Sequence, residues 1–306
     1  MSLAAETRFA LKIDVDTHAG LARGVPVLRD LLIAHGIRAS FFVVCGPDRM
    51  GRRLGRLLDP RFVAKLVRTR ALAVYGWRTL LSGTLLPARE VARSFPETLR
   101  KLLRDGHEVG VHGYDHARWQ DRLPRLSPRE VRSHVNRALG VLTDILGVRP
   151  LGFAAPGWRC TAASLAAVDE GGFTYRSDTR GREPFRPALD GQIFRVPEIP
   201  TTLPTLDEIC DSAASPSALA EHWIGLVRPR ALNVHTIHAE LEGGPHLDAL
   251  DRLLTMLRER ARIVRLGDEA AVLAAAPLPV CHVREGRVAG RAMPVALQGT
   301  ETAAPR

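Results

Sequence analysis

Short apolar runs alternate along this chain with longer segments in which apolar residues recur at helical spacing. Runs typical of buried strands cover residues 11–15, 39–44, 107–111, 151–154, 173–175, 193–196, 231–237 and 263–266. Helical spacing is found at residues 25–35, 88–104, 131–146, 161–170 and 246–260. This alternation predicts a mainly parallel sheet covered by helices. In sheets of this kind the chemistry gathers at the carboxyl ends of the strands.

One helix start is marked by its own chemistry. Ser127 is a good N-cap residue, Pro128 suits the first turn, and Glu130 completes a capping box. We therefore predict that the helical segment ending near residue 146 begins directly after Ser127.

Two groups of polar residues stand directly after strand-like runs. Asp14 and Asp16 end the first run, and side chains at i and i+2 of a strand share one side. His112 and His116 follow the run at 107–111, and a helical turn there would stack the two imidazoles. Each pair alone is a weak signal, since acids often end strands at solvent and paired histidines often cap or pack. Together they favour a catalytic divalent-metal site with one carboxylate and two imidazoles as ligands, and a second carboxylate free to act as a base.

Length and composition fit a globular α/β protein with an unusual charge. A chain of 306 residues suits one α/β barrel, which typically has ~250 residues before insertions. The net charge is +10, and all but three of the 43 basic residues are arginine, the lysines being Lys12, Lys65 and Lys101. Genomic base composition explains part of this bias. An anionic partner, such as a phospholipid surface, a nucleic acid or a phosphorylated substrate, is the functional explanation.

Cysteine usage and hydropathy argue against a disulfide-stabilised scaffold and against a membrane-spanning protein. The four cysteines are widely separated, which argues against a disulfide scaffold and fits a reducing compartment. Residues 1–6 lack the basic and apolar regions of a secretory signal. The uncharged stretch at 270–281 contains prolines and is shorter than the ~20 residues of a membrane span. We expect no signal peptide and no transmembrane helix, and a protein that at most lies on a membrane.

An insert at about 49–87 departs from the rest of the pattern. Its first thirty residues carry nine basic side chains against Asp59 alone, interleaved with apolar residues at roughly helical spacing. This composition suits a helix in a membrane interface, and an arginine-rich solvated helix packed on the barrel is nearly as good an interpretation. A nucleic-acid patch is a third alternative, but no recognition motif accompanies it. The candidate membrane-facing residues are Arg52, Arg53, Arg56, Phe62 and Trp77.

The remaining boundaries follow from periodicity. Residues 8–275 are predicted to form a single catalytic barrel that carries the insert. Residues 276–306 are rich in Pro, Gly, Ala and Arg without periodicity, and we predict a mostly disordered tail there.

Several motifs together resemble those of the polysaccharide deacetylase superfamily, the NodB-homology type. They occur in the same order along the chain: Asp14-Val15-Asp16, His112 with His116, Ala155-Pro156-Gly157-Trp158, Ser177-Asp178 and Thr236-Ile237-His238. Finer motifs resemble the branch of that superfamily that removes a formyl group from an aminoarabinose carried on undecaprenyl phosphate. These finer motifs are Gly46-Pro47-Asp48-Arg49-Met50-Gly51, Tyr75-Gly76-Trp77, residues 199–205 and Thr236-Ile237-His238-Ala239-Glu240. The likeness covers residues 12–273.

The resemblance implies a fold, a cofactor and a set of residue roles. The fold is a distorted (β/α) barrel with about seven mainly parallel strands. One divalent metal ion, most often Zn with Mn, Co or Ni as alternatives, would be held by Asp16, His112 and His116. Asp14 would be the general base and His238 the general acid. The candidate substrate-binding residues are Trp158, Arg159, Ser177, Asp178 and Glu240.

Some positions depart from the pattern of the superfamily. The arginine that usually pairs with the catalytic aspartate aligns with Ala154, and Arg159 is the candidate replacement. The motif tyrosine falls at Gly157, so Trp158 is expected to form the pocket wall. His18 is interpreted as a surface histidine, and His235 faces the side of its strand opposite to His238. Glu240 is expected to orient His238 or to bind sugar hydroxyls.

The function expected from these residues is hydrolytic deformylation of 4-deoxy-4-formamido-L-arabinose linked to undecaprenyl phosphate. It belongs to lipid A modification and polymyxin resistance, at the cytoplasmic side of the bacterial inner membrane. A formamide is a poor electrophile, so a metal, a base and an acid form a coherent set. A deacetylase of another amino sugar is the alternative enzyme. A DxD glycosyltransferase would leave His112, His116 and His238 unexplained, and a non-catalytic protein would leave every catalytic position filled without use.

Overall fold

A sheet of seven strands, each parallel to its neighbours, forms the centre of the molecule, as the alternating pattern predicted. The computed structural model describes residues 6–51, 82–209 and 215–301. The strands are β1 (Arg8–Val15), β2 (Ser40–Val43), β3 (Glu108–Val111), β4 (Gly152–Phe153), β5 (Tyr175–Arg176), β8 (Leu232–His238) and β9 (Arg262–Val264). Their order in the sheet is β5-β4-β3-β2-β1-β8, and β9 also pairs with β1. Both faces are covered, so β1 and β2 read as nearly continuous apolar runs.

Helices follow most of these strands and cover the sheet. They are α1 (Val25–His35), α2 (Pro96–Arg104), α3 (His116–Arg122), α4 (Pro128–Leu146), α5 (Ala162–Glu170), α6 (Leu206–Ile209), α7 (Pro216–Gly225), α8 (Leu247–Leu257) and α9 (Leu266–Leu273). The capping box predicted at Ser127 is present, with both reciprocal hydrogen bonds to Glu130. Helix α1 ends where Gly36 adopts φ +67, the left-handed conformation that glycine reaches without a steric cost.

A second, four-stranded sheet packs beside the barrel and corrects the prediction of a disordered tail. It consists of β6 (Arg186–Leu189), β7 (Gln192–Ile193), β10 (Val280–Gly286) and β11 (Val295–Glu301), in the order β11-β10-β6-β7. Strands β10 and β11 are antiparallel, and β10 lies parallel to β6. Their inner side chains form a small core of Phe185, Cys281, Val283 and Ala296. The prediction failed because a core this small leaves few apolar positions to signal it, although tertiary pairing still orders the strands.

The parallel register brings the polar strand ends together. Asp14 on β1 lies opposite Phe42 on β2 and opposite His238 on β8. The next strand along the sheet, β3, ends at Val111, one residue before His112. The carboxyl edge of the central strands is therefore the place where the predicted catalytic residues can meet.

Most of the predicted insert, including Arg52, Arg53, Arg56, Phe62 and Trp77, lies outside the described residues. At its described edge Arg49 forms an ion pair with Asp115, the residue before His116. Within the part of the chain that the structure describes, no helix has the length and apolarity needed to cross a bilayer.

Candidate metal and catalytic site

Three predicted ligands converge at the carboxyl edge of the sheet. Asp16 lies just beyond β1, His112 directly after β3, and His116 at the first position of α3. One ligand atom from each lies within 4.8 Å of the others. The two histidines do not share a helical turn as expected, because Gly113, at φ +72, turns the chain between them. Their rings still come together, with centroids 5.4 Å apart.

The donor atoms of this group fit a cation. Nδ1 of His112 is 2.9 Å from the carbonyl oxygen of Ala154, so Nδ1 donates and Nε2 presents a lone pair. That Nε2 is 3.2 Å from Oδ1 of Asp16, and Nε2 of His116 is 3.4 Å from Oδ2. An unprotonated imidazole facing a carboxylate is repulsive unless a proton or a metal ion lies between them. Two nitrogens and one oxygen form a donor set for a divalent transition metal.

Electrostatics keeps the ligand carboxylate ionised. Burial alone would raise the pKa of Asp16, but the imidazoles of His116 and His112 outweigh it and hold that pKa well below its usual range. Burial lowers the pKa of His112, and the carboxylates of Asp14 and Asp16 outweigh that effect and raise it. A small cavity lined by Asp16, His116 and Arg49 opens beside the three ligands.

The second aspartate has a different neighbour, which the sequence analysis missed. Asp14 is buried, and its Oδ2 lies 3.5 Å from Nζ of Lys12. Oδ1 of Asp14 has no hydrogen-bond partner among the described residues. The fully buried Lys12 donates to the carbonyl oxygen of Ser177 at 3.1 Å. The signal was available, since Lys12 is a charge inside an apolar strand and points to the same side as Asp14.

Arg159, the expected replacement for the motif arginine, is directed elsewhere. Its Nη1 lies 3.0 Å from Oε2 of Glu285 and donates to the carbonyl oxygen of Pro294 at 3.2 Å. Both partners belong to the second sheet and the turn before β11. Arg159 therefore ties the Pro156–Trp158 turn to that sheet, and Lys12 is the cation next to Asp14.

His238 ends β8 with its ring 6.5 Å from that of Trp158, centroid to centroid. Its backbone N–H donates to Oε2 of the fully buried Glu242 at 2.9 Å, and burial raises the pKa of Glu242 to about 8. Glu240 does not take the expected place beside His238. Its Oε1 accepts from the N–H of Asp16 at 3.2 Å and from the N–H and hydroxyl of Thr17 at 2.8 and 2.6 Å. Glu240 thus braces the loop that carries Asp16, one of the three candidate ligands.

Two other predicted substrate residues lie beneath the site. Ser177 and Asp178 are buried, and Oδ1 of Asp178 accepts from the N–H of Ala155 at 2.7 Å. Burial raises the pKa of Asp178 to about 6. Glu198, fully buried, in turn accepts from the N–H groups of Asp178 and Thr179 at 2.8 and 2.9 Å. Asp178 and Glu198 thus hold the backbone that follows β4 and β5 in place, and the sequence analysis had not identified Glu198.

The two unassigned histidines remain outside the site. The ring of His18 packs against Phe95 at a centroid distance of 4.8 Å, and His18 does not belong to the ligand group. His235 is fully buried between Phe9 and Trp223, and burial lowers its pKa to about 3. His238 is thus the histidine of β8 that lies by the site.

Trp158 is held in an unusual backbone conformation at the wall of the site. Its φ is +51 and that of Gly157 is +63, and a left-handed non-glycine residue typically costs on the order of 1–3 kcal/mol. The indole N–H donates to the hydroxyl of Thr201 at 3.1 Å. Its ring centroid lies 5.1 Å from Nζ of Lys12, 5.6 Å from Cζ of Arg180 and 4.2 Å from Cζ of Arg291. Such strain at the edge of a polar pocket marks a position whose geometry is fixed by its surroundings.

The edge of the parallel sheet thus brings together one carboxylate and two imidazoles that could hold a metal ion. A second carboxylate and a further imidazole lie beside them, and this arrangement is suited to the hydrolysis of an amide. The polysaccharide deacetylase family model matches residues 10–176, which include all three ligands and Asp14. The chain belongs to the polysaccharide deacetylase family, as its motifs predicted. It is an enzyme of the deformylase and deacetylase class of hydrolases.

Two curated relatives narrow the comparison. The chain is 39% identical over 255 residues to the probable 4-deoxy-4-formamido-L-arabinose-phosphoundecaprenol deformylase ArnD of Shewanella sediminis, covering 83% of this chain and 82% of the relative. It is 33% identical over 253 residues to the same-named protein of Wigglesworthia glossinidia brevipalpis, covering 81% and 88%. Among solved structures, a protein of Mycobacterium smegmatis described as a polysaccharide deacetylase superposes with TM-score 0.62 at 19% identity, covering 90% of this chain and 93% of that one. The last likeness shows the shared fold.

Proposed function

We propose that this enzyme removes the formyl group from 4-deoxy-4-formamido-L-arabinose carried on undecaprenyl phosphate, releasing formate and the free 4-amino sugar. The observation that carries the proposal is the similarity, over four fifths of the chain, to two relatives named for that reaction. The site geometry supports it, because Asp14 and His238 are register partners on neighbouring strands beside the three ligands.

Asp16, His112 and His116 are the residues that would hold the metal ion. When bound, a divalent ion there supplies Lewis acidity, which polarises the formyl carbonyl and lowers the pKa of water. Two imidazole nitrogens and one carboxylate oxygen favour Zn, with Mn, Co and Ni as alternatives. The hydrogen bond from Nδ1 of His112 to Ala154 keeps Nε2 as the ligand atom.

The remaining residues of the site move or hold protons. Oδ1 of Asp14, which has no other partner in the described part of the chain, takes a proton from the attacking water. Lys12 holds the other oxygen of that carboxylate at 3.5 Å. His238 donates a proton to the sugar nitrogen as the C–N bond breaks, so the amine leaves neutral. Glu242 and Glu240 keep His238 and Asp16 in place through their backbone N–H groups.

The expected substrate-binding residues act from behind the reacting groups. Trp158 is 2% exposed and lies near both Lys12 and His238, so we assign it to holding the proton-transfer groups in place. The side chains of Arg159, Asp178 and Glu240 are engaged with the protein itself, and Ser177 is buried and accepts from Lys12 through its carbonyl oxygen.

The prenyl chain of such a substrate stays in the bilayer, so the enzyme must come to the membrane. We place the protein peripherally on the cytoplasmic side of the bacterial inner membrane. The net charge of +10 and the basic, apolar composition of residues 49–87 support an anionic lipid surface as its partner.

The test is an assay of the purified, metal-loaded protein on two matched lipid-linked sugars, one with a 4-formamido and one with a 4-acetamido group. We expect formate release from the first at a much higher kcat/KM, and loss of release in Asp14→Asn with its metal retained. A preference for the acetamido sugar would contradict the deformylase proposal and identify the enzyme as a deacetylase of amino sugars.

A further inference from the structure

The loop between β10 and β11 places Arg291 next to Trp158, at the candidate catalytic site. Arg291 lies outside residues 10–176, where the family model matches. Its guanidinium carbon is 4.2 Å from the ring centroid of Trp158, within the range of a cation–π contact. Burial lowers the pKa of Arg291, but the carboxylates of Asp207 and Glu208 outweigh this effect and raise it, with a smaller contribution from Asp14. The predicted base and a residue of the second sheet therefore share one environment.

Arg291 is fixed by contacts on both its side chain and its backbone. Its Nε donates to Oε1 of Glu208 at 2.6 Å, and its Nη2 donates to the hydroxyl of Thr205 at 3.1 Å. The preceding Gly290 has φ +78, and a Cβ there would lie 2.6 Å from the Cα of Glu208. The backbone of the loop can approach α6 this closely only because residue 290 is glycine.

A second tie joins the same two parts of the molecule. Arg159, the residue after Trp158, pairs with Glu285 of β10 and donates to the carbonyl oxygen of Pro294 before β11. The β10–β11 hairpin thus contacts two neighbouring residues, Trp158 and Arg159.

Trp158 connects the hairpin to the two groups that are expected to transfer protons. Lys12, which holds Asp14, lies on its ring at 5.1 Å, and His238 lies edge-on at 6.5 Å. A shift of the indole would change the positions of Lys12, and with it Asp14, relative to His238. A misplacement of about 1 Å can cost on the order of a hundredfold in rate.

We propose that Arg291 is a positioning residue for the reaction, acting through Trp158, and that the β10–β11 hairpin is part of the catalytic unit. The substrate used to test it rests on the proposed function. The guanidinium is suited to this task because it is planar and can lie on an indole while it donates to Glu208 and Thr205. A lysine ammonium at the same position has no plane to stack and cannot keep this geometry.

The experiment compares Arg291→Ala, Arg291→Lys, Trp158→Phe and the Arg291→Ala/Trp158→Phe double variant as full-length, metal-loaded proteins. Arg287→Ala is the matched control, an exposed arginine of the same hairpin. We expect Arg291→Ala to lower kcat by about tenfold to a hundredfold, with a much smaller change in KM and unchanged metal content. Arg291→Lys should stay impaired, and Arg287→Ala should match wild type. In the Trp158→Phe background, Arg291→Ala should lower kcat only slightly further.

A readout without turnover separates this proposal from the proposed function. Tryptophan fluorescence of Arg291→Ala should differ from wild type, and the difference should vanish in the Trp158→Phe background. If wild type released neither formate nor acetate, the proposed function would fail while this coupling remained measurable. Full kcat in Arg291→Lys would show that charge alone suffices and overturn the stacking role. Independent, multiplicative losses in the double variant would overturn the route through Trp158, and so would wild-type kcat in Arg291→Ala. If Arg291→Ala does not fold, Arg291→Lys, Trp158→Phe and their double variant are compared in the same way, and the same outcomes support or overturn the proposal.

Discussion

Asp14 and Asp16 lie two residues apart on the same chain segment, yet their neighbours prepare them for different tasks. Asp16 faces two imidazoles whose nitrogens lie 3.2 and 3.4 Å from its oxygens. Asp14 faces the ammonium of Lys12 and keeps one oxygen without a partner in the described structure. The difference follows from the strand neighbours, because His112 follows β3 while Lys12 belongs to β1 itself.

This difference predicts a division between the two aspartates. Asp14→Asn should keep bound metal and lose most of its turnover, because it removes the proton acceptor and leaves the three ligands. Asp16→Asn and His116→Ala should weaken metal binding itself, since a three-ligand site has no spare donor. Metal titration by calorimetry, together with formate release, checks both. Equal loss of metal from Asp14→Asn and Asp16→Asn would refute the division.

A second residue-scale prediction concerns Glu242, a buried carboxyl whose pKa burial raises to about 8. In the unfolded chain its pKa is about 4.3. The folded state therefore binds the proton more tightly, and this stabilisation is complete below the unfolded pKa and lost as pH rises through about 8. Glu242→Gln keeps an oxygen for the N–H of His238 and cannot ionise. Its free energy of unfolding should fall less than that of wild type between pH 5 and pH 9.

Urea unfolding of both proteins across this range measures the effect. A parallel decline in the two proteins would show that Glu242 ionises as easily in the folded as in the unfolded chain. Ser133→Ala, at an exposed position of α4, is the control substitution, because it removes no titratable group.

At the scale of the element, the helix start with reciprocal side-chain hydrogen bonds offers a quantitative check. Ser127 accepts from the N–H of Glu130, and Glu130 accepts in return from the N–H of Ser127. Ser127→Ala should therefore lower the free energy of unfolding by about 1 kcal/mol. Ser133→Ala, an exposed position within the same helix, should be neutral or slightly stabilising, because alanine favours helix interiors. Equal urea midpoints for wild type and Ser127→Ala would show that the cap contributes nothing.

Local signals also decide which elements could be predicted from sequence. Helix α1 was predicted with its observed bounds from helical spacing, and α4 was predicted to follow Ser127 because a capping box marks its start. Helix α2 begins at Pro96 and not near residue 88, since the chain breaks at Phe95 with φ −139. Strands β6, β10 and β11 escaped prediction because they are ordered by pairing with distant strands and cover a core of only a few side chains.

The same limit applies to the site. Asp14, Asp16 and the histidines were found because strand ends gather at one edge in a parallel sheet, a rule that needs only the order of elements. The partners that fix them were not found. Lys12 and Glu242 lie only two and four residues from Asp14 and His238, but their roles depend on which way the folded chain turns these side chains. Arg291 and Trp158 are 133 residues apart, and spacing along the sequence does not encode their contact.

At the scale of the whole molecule, the surplus of arginine predicts a salt-sensitive attraction to anionic bilayers. Residues 52–81 fall outside the described structure, so this prediction rests on sequence alone. Each arginine near anionic headgroups contributes ~1 kcal/mol, and apolar side chains add to that. Replacing Arg52, Arg53 and Arg56 by Glu should weaken binding to anionic vesicles, most strongly at low salt. These variants should lose activity on the lipid-linked substrate and keep hydrolysis of a water-soluble formamido-sugar phosphate.

The matched control reverses three exposed arginines outside the insert, Arg252, Arg258 and Arg260, and so changes the net charge equally. Vesicle flotation should separate the two triple variants if the insert is the binding surface. Equal weakening in both would point to diffuse attraction by the net charge. Absence of wild-type flotation at low salt would contradict membrane binding and favour a solvated helix.

The late position of Arg291 in the chain has a consequence for how the enzyme is made. Asp16, His112 and His116 are all synthesised before residue 117, whereas the hairpin that grips Trp158 follows only after residue 280. At roughly 5–20 residues per second, the ribosome needs on the order of ten to thirty seconds to cover that interval. A nascent chain thus has its candidate metal ligands before the loop that contacts Trp158 has been translated.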